Sequence, residues 1–292
     1  MKNTFKLFVY GTLRKHGKYH ELLKDARCLV EQAWIYGELY DTGLGYPTMM
    51  PSEDKVVYGE MYEINNEQLW QIDKLEDYVA GRSNNLYERV TYNVFTDQDS
   101  LEAYIYVSNR KDLHVTPIPH GDWKLYTFLK EKPETFYYFA YGSCMDTERF
   151  RLANVDHYFS NVIGVGMLEQ YSMKYLYSVS DGGRADIVED GGLTEGIVYE
   201  APYDAVQYLF KREGFYTRAY RPIFVDIKMK DTILKDVLTF HVYDKREETV
   251  PPHHYATEIL RGAKGRVSSK YFEYLRNELV RLGIEDIEKV GG

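Results

Sequence analysis

The apolar positions of the chain fall into two similar patterns. The first opens with a dense apolar run, Leu7-Phe8-Val9-Tyr10, that stops at Gly11-Thr12. Such a run closed by a glycine predicts a buried strand entering a tight turn. The event recurs at Phe136-Tyr137-Tyr138-Phe139-Ala140-Tyr141, which stops at Gly142-Ser143, 131 positions later (141 minus 10). Two such strand and turn units at this separation mark a candidate internal repeat.

The following segments repeat in the same order. Tyr58 to Ile64 reads as a strand, and Gln68 to Glu76 carries Leu69, Ile72 and Leu75 at helical spacing. In the second copy, Glu195 to Glu200 reads as the strand, and Ala205 to Glu213 carries Val206, Leu209 and Phe210. That spacing puts one helix face on a core and leaves a glutamate, Glu76 or Glu213, at the helix end. A tyrosine and another strand come next, Tyr87 to Val94 and Tyr220 to Ile227. Each feature alone is weak; their repetition in one order argues for duplication.

The seam falls in Lys130-Glu131-Lys132-Pro133-Glu134, a charged stretch with a proline, so the expected domains are 1–132 and 133–292. The first closes with a turn at Ile118 to Trp123 and a helix over Leu125 to Leu129. The second adds Pro251 to Tyr255, a segment to Lys264, and an amphipathic helix from about Ser269 to Leu282 that stops near Gly283.

Composition narrows the function classes. The net charge of −9 with no basic block speaks against nucleic acid as a partner. No stretch has the roughly 18 apolar residues of a membrane span, and the first residues lack a signal-peptide core, so a cytoplasmic location and no membrane partner are expected. The two cysteines, Cys28 and Cys144, lie far apart, which fits a reducing compartment and leaves stability to packing. The 29 tyrosines suit small twisted sheets and pockets with hydrogen-bonding rims.

On these residues the chain resembles the γ-glutamylcyclotransferase superfamily, in two pieces covering nearly its whole length. The first half is similar to the small γ-glutamylamine cyclotransferase branch, through Tyr10-Gly11-Thr12-Leu13 with His20, Gly45-Tyr46-Pro47, Gly59 to Ile64, Asp73 to Glu76, Tyr87 with Arg89, and Gly121-Asp122-Trp123. The second is similar to the longer γ-glutamylcyclotransferase branch. Its matches are Phe139 to Ser143, Gly182-Gly183 before Ala185-Asp186-Ile187, Gly196 to Tyr199, Arg212-Glu213-Gly214, Tyr220, and Tyr255 to Lys264. Two positions depart from the family pattern: Cys144 stands where the loop usually has asparagine, and Tyr19 precedes the histidine where asparagine is common. The resemblance implies an α+β fold of two domains, each a small mixed, mostly antiparallel β-barrel with flanking helices, and no cofactor or metal. The tandem arrangement itself resembles some bacterial members.

The resemblance also implies a chemistry. In a γ-glutamyl amide the substrate's own α-amino nitrogen attacks the side-chain carbonyl, closes 5-oxoproline and expels the amine. Such a cyclising transferase or lyase must fold the substrate, move one proton and stabilise the carbonyl oxygen. A glutamate in an aromatic pocket, made more basic by desolvation, suits both proton transfers, which assigns Glu76 and Glu213 as the catalytic residues. Gly11 and Gly142 allow close approach to loop amides that can hold an anion. Tyr10, Thr12, Leu13 and Tyr87, with Tyr141, Ser143, Cys144 and Tyr220, complete the expected substrate sites. The partner is then a small γ-glutamyl compound.

Other readings remain open on the residues. One or both copies could bind a γ-glutamyl or amino-acid ligand without turnover. Cys144 with His253 and His254 could form a cysteine hydrolase, although a small residue filling a tight turn is the simpler account. His241, His253 and His254 lack ligand spacing, so zinc is not expected. His114, His120 and His157 read as loop or surface residues, and Glu67, Glu102 and Glu273 as solvated charges.

Overall fold

The computed structural model describes residues 4–284. It divides between Glu131 and Lys132 into two units. In the first, the strands are β1 (Thr4–Val9), β2 (Arg27–Tyr36), β3 (Glu38–Asp41), β4 (Pro47–Met50), β5 (Val56–Asn65), β6 (Glu88–Phe95), β7 (Ser100–Val107) and β8 (Thr116–Pro117). Helix α1 (Asn66–Leu75) follows β5, and α2 (Trp123–Glu131) ends the unit. The second has β9 (Thr135–Ala140), α3 (Thr147–Leu152), β10 (Asn161–Val179), β11 (Gly182–Pro202), α4 (Ala205–Arg212), β12 (Tyr220–Lys228), β13 (Ile233–Val242), α5 (His253–Ala263) and α6 (Ser269–Arg281).

Five strands of each unit close into a barrel. The orders are β1-β5-β2-β6-β7 and β10-β11-β9-β13-β12, which are the same cycle when β9 is set on β1 and β11 on β5. Each barrel is antiparallel apart from one seam, where Leu7 of β1 faces Tyr104 of β7 and Tyr138 of β9 faces Leu238 of β13. Closure leaves the barrel strands no free edge to pair with another chain. In the first unit a separate sheet of order β4-β3-β8 accompanies the barrel.

The duplicated glycines explain how the walls fit. At Gly59 in β5, a Cβ would lie 2.3 Å from the Val9 carbonyl oxygen and 2.6 Å from the Phe8 ring. At Gly196 in β11, it would lie 2.4 Å from the Ala140 carbonyl oxygen and 2.7 Å from the Phe139 ring. In both copies the phenylalanine just ahead of the loop thus lies where a side chain on the neighbouring strand would be. Both rings are fully buried.

Helix α1 starts where the sequence gives it a cap. The Asn65 side chain accepts from the amides of Glu67 and Gln68, and the Gln68 side chain accepts from the Asn65 amide. Leu69 and Ile72 are buried while Trp70 faces outward, as the spacing requires. Glu67, Glu102 and Glu273 are exposed, in line with their reading as solvated charges. The last helix begins after Ser268, whose hydroxyl accepts from the Tyr271 amide, and stops one residue short of the expected Leu282.

All three tryptophans, Trp34, Trp70 and Trp123, lie in the first unit, so tryptophan fluorescence reports its unfolding alone. Gly59→Ala is expected to lower that unit's stability by about 1–3 kcal/mol through overpacking, read as a reduced urea midpoint. An unchanged midpoint would mean that the Phe8 ring and the strand beside it yield freely.

Candidate active site

The two helix-end glutamates occupy the same local geometry. Glu76 caps α1 with φ −84° and ψ 4°, its amide donating to the Ile72 carbonyl at 2.9 Å. Glu213 caps α4 with φ −81° and ψ 3°, its amide donating to the Leu209 carbonyl at 2.9 Å. A carboxylate here meets the negative end of the helix dipole, so the position itself favours the protonated form.

Around Glu76 the first unit encloses a cavity of about 150 Å³. The predicted residues Tyr10, Gly11, Thr12, Leu13 and Tyr87 all line it together with Glu76. Burial pushes the Glu76 carboxyl up to about 8, and among the described groups no cation offsets it. The amides of Thr12 and Leu13 have no backbone carbonyl partner among the described residues, whereas the Gly11, Thr12 and Leu13 carbonyls are occupied by Arg14, Tyr19 and His20.

The hydroxyls of two expected substrate-site tyrosines are engaged by the protein itself. Tyr10 donates to the Tyr106 carbonyl at 2.7 Å, and Tyr87 to the Pro47 carbonyl at 2.9 Å. Their counterparts do the same: Tyr141 donates to Phe240 at 2.7 Å and Tyr220 to Ala185 at 2.8 Å. These hydroxyls tie the cavity wall together, and the rings supply its apolar surface. Gly11 is required by packing, since a Cβ there would meet Pro47 Cγ at 2.5 Å.

The loop is anchored from behind. Arg14 reaches Glu60 through Nε at 3.0 Å and Asp122 through Nη1 at 2.9 Å, all three side chains being buried. Glu60 also accepts from the Lys15 amide at 2.7 Å and the Tyr62 hydroxyl at 2.8 Å. Burial alone would raise Glu60, but the Arg14 charge and these donors hold it below the usual carboxylate range. Asp122 in turn accepts from the Leu125 amide at the start of α2. On the opposite side Arg89 and the Tyr106 hydroxyl converge on Asp73, fixing α1 against β6 and β7.

The second unit brings Tyr141, Gly142, Ser143, Cys144, Glu213 and Tyr220 together, around a cavity of only about 30 Å³. That is room for roughly one water. Arg212 accounts for part of the difference. Its Nε lies 2.9 Å from Cys144 Sγ, its Nη2 donates to Ser143 Oγ at 3.0 Å, and it approaches Glu213 at 3.7 Å. The Cys144 thiol donates to Glu213 Oε1 at 3.6 Å. Burial raises Glu213, while Arg212 and then the thiol pull it back. Burial also pushes the Cys144 thiol up, against the pull of Arg212.

The sequence alone did not assign Tyr19, Tyr46, Pro47, Leu75, Leu86 and Tyr106 to the first cavity, nor Tyr138, Ala185 and Tyr255 to the second. Leu75 and Arg212 had one available signal, their place just before the two glutamates. His253 and His254 are exposed, and neither is among the residues around Cys144. Among the described residues no group of three or more His, Cys, Asp or Glu could hold a metal ion, and no helix is long and apolar enough to cross a membrane.

Fold and site together define a tandem pair of barrels, each with a helix-end glutamate facing a glycine loop. Residues 7–125 match the family model described as Gamma-glutamyl cyclotransferase, AIG2-like, and residues 194–275 match the AIG2-like family. The chain is 42% identical over 275 residues to YkqA of Bacillus subtilis, whose name places it among the γ-glutamylcyclotransferases, covering 94% of this chain and 96% of that protein. The crystal structure of YkqA superposes with a TM-score of 0.87 at 41% identity, over 95% of this chain and 98% of that one. The γ-L-glutamyl-butirosin B γ-glutamyl cyclotransferase of Niallia circulans is 41% identical over 121 residues, which is 41% of this chain and 76% of that protein. The chain belongs to the γ-glutamylcyclotransferase family.

Two measurements follow from the site. Glu76 titrates in the folded protein near 8 and in the unfolded chain near 4.5, so between these values the folded state holds the proton that the unfolded state releases. The stability this contributes is complete below the lower value and is lost as pH rises through the upper one. Urea unfolding followed by tryptophan fluorescence should therefore show the wild type weakening relative to Glu76→Gln across that window. Parallel pH profiles would place the Glu76 proton elsewhere. Thiol alkylation with peptide mass mapping should label exposed Cys28 and spare buried Cys144. Rapid modification of Cys144 would revive the cysteine hydrolase.

Proposed function

We propose that the first domain is the seat of turnover, a γ-glutamylcyclotransferase that releases 5-oxoproline from γ-glutamyl amides without a cofactor. The observation that carries this reading is Glu76, a desolvated carboxyl with no neutralising partner, in a cavity walled by the Tyr10 to Leu13 loop. Its acidity near 8 lets it exchange protons close to neutral pH.

The reaction needs little beyond positioning. The ionised Glu76 takes a proton from the substrate's α-ammonium, and the freed nitrogen forms a bond to the γ-carbonyl carbon. The Thr12 and Leu13 amides receive the oxygen as it gains charge. The carbon to amine bond then breaks while Glu76 returns the proton to the departing nitrogen. The ring nitrogen sheds its second proton through Glu76 to the released amine, so the count closes with one neutral five-membered lactam, one ammonium ion and the carboxylate restored. The Tyr10 and Tyr87 rings confine the chain so that nitrogen and carbonyl meet.

The second domain reads differently. Its narrow cavity and the Arg212 to Cys144 contact support a binding or stabilising role without turnover in the form described. The two readings separate in one experiment, mass-spectrometric assay of 5-oxoproline released from a panel of γ-glutamyl compounds. Glu76→Gln should reduce kcat by about 10²–10⁴-fold, and Glu213→Gln should leave most of it. Equal losses would assign turnover to both domains, and unaltered release in the double variant would refute the mechanism.

A further inference from the structure

A shallow groove of about 500 Å³ lies beside the first cavity, lined among others by Lys18, Tyr19, Leu22, Gln71, Lys74 and Leu75. Tyr19 and Leu75 also line the cavity itself, so the two spaces share a threshold. Leu75 immediately precedes Glu76, which places that threshold next to the carboxyl that would hand a proton to the departing amine. A substrate with its γ-glutamyl end in the cavity therefore has a route for the rest of its length across Tyr19 and Leu75.

The charge of this groove runs against that of the chain. The molecule carries −9 overall, yet the groove presents two lysines whose ammonium groups have no carboxylate partner among the described residues. Lys18 lies over the Tyr19 ring at 5.1 Å and Lys74 over the Trp70 ring at 5.7 Å. The groove's own acid, Glu21, is paired with Lys24 at 2.7 Å. Asp73, the next residue to Lys74, is occupied by Arg89. Two positive charges on an otherwise acidic protein make a local attractor for an anion.

Resting on the cyclotransferase reading of this cavity, we propose that the groove is the leaving-group subsite and that Lys18 and Lys74 select an extended amine bearing an acidic group at its far end. The recognised chemistry is an anion, carboxylate or phosphate, several bonds beyond the scissile amide. A polycationic amine would meet repulsion here.

The experiment compares 5-oxoproline release by the full chain from four γ-glutamyl amides of similar length. Their amines are n-butylamine, 4-aminobutyrate, phosphoethanolamine and 1,4-diaminobutane. The expected result is a kcat/KM for at least one acidic substrate about five to ten times that for the neutral one, the scale of two exposed ion pairs, shrinking in high salt. The stronger of the two acidic substrates identifies the anion. Lys18→Gln with Lys74→Gln should bring the acidic to neutral ratio close to one, and Lys74→Glu should move preference toward the diamine. A ratio unaltered by these exposed substitutions, or a wild type that prefers the neutral or cationic substrate, would overturn the proposal. If the wild type releases 5-oxoproline neither from the four nor from the wider panel of γ-glutamyl compounds, the cyclotransferase reading fails by itself. Calorimetric binding of the same compounds then decides the groove, and equal affinity in wild type and double variant rejects it.

Discussion

Each domain is organised around a carboxyl group placed where the protein makes its ionisation costly. Glu76 sits at the end of a helix, against the unfavourable end of the dipole, and inside a wall of aromatic rings. Nothing in the packing of α1 calls for it, since Leu69 and Ile72 already carry the buried face. A residue that raises the cost of folding at high pH without improving the core is a candidate for chemistry rather than packing. The rest of the first unit can be understood as the means of holding a loop opposite that carboxyl.

The loop is a short piece of chain leaving a barrel strand, and by itself would be mobile. Both units restrain it with a charge network reaching to the segment that follows the barrel, buried in the first and partly exposed in the second, and they do so with different residues. In the first, Arg14 joins the loop to Glu60 on β5 and to Asp122 at the start of α2. In the second, Arg261 of α5 pairs with Asp146, and Arg266 donates to the Met145 carbonyl at 2.7 Å. Glu195 of β11, the neighbour of Gly196 as Glu60 is of Gly59, accepts from Ser268 at the head of α6. The solution was kept while its atoms changed. Breaking the buried network of the first unit at one partner typically costs about 3–5 kcal/mol, because a charge is left without its counterpart.

Much of this was legible in the sequence where the signal was local. The glycine after an apolar run and the helix period ending on a glutamate are patterns within a dozen residues, and they mark the strands, the helices and the helix-end position of Glu76 and Glu213. What stayed hidden joins residues far apart in the chain. Arg14 meets Asp122 across 108 positions, and Tyr10 meets Tyr106 across 96. A tyrosine in a sequence does not reveal whether its hydroxyl faces a ligand or a distant carbonyl. The four loop and strand tyrosines line the two cavities, with their hydroxyls turned to distant carbonyls.

The same distinction separates the two sites. By position in the repeat, Leu13 and Leu75 of the first correspond to Cys144 and Arg212 of the second. Two aliphatic side chains leave an apolar opening beside Glu76, and a carboxyl there has no neighbour to neutralise it. A thiol and a guanidinium in their place bond to each other and to Glu213, drawing loop and helix end together. Arg212 opposes the desolvation that would make Glu213 a stronger base, and its contacts bind the loop residues that would have to part for a ligand. Two substitutions thus act on acidity and access at once. A duplicated fold can keep its barrel, its glycines and its helix-end glutamate while one copy has a narrow polar cluster where the other has a wider apolar cavity.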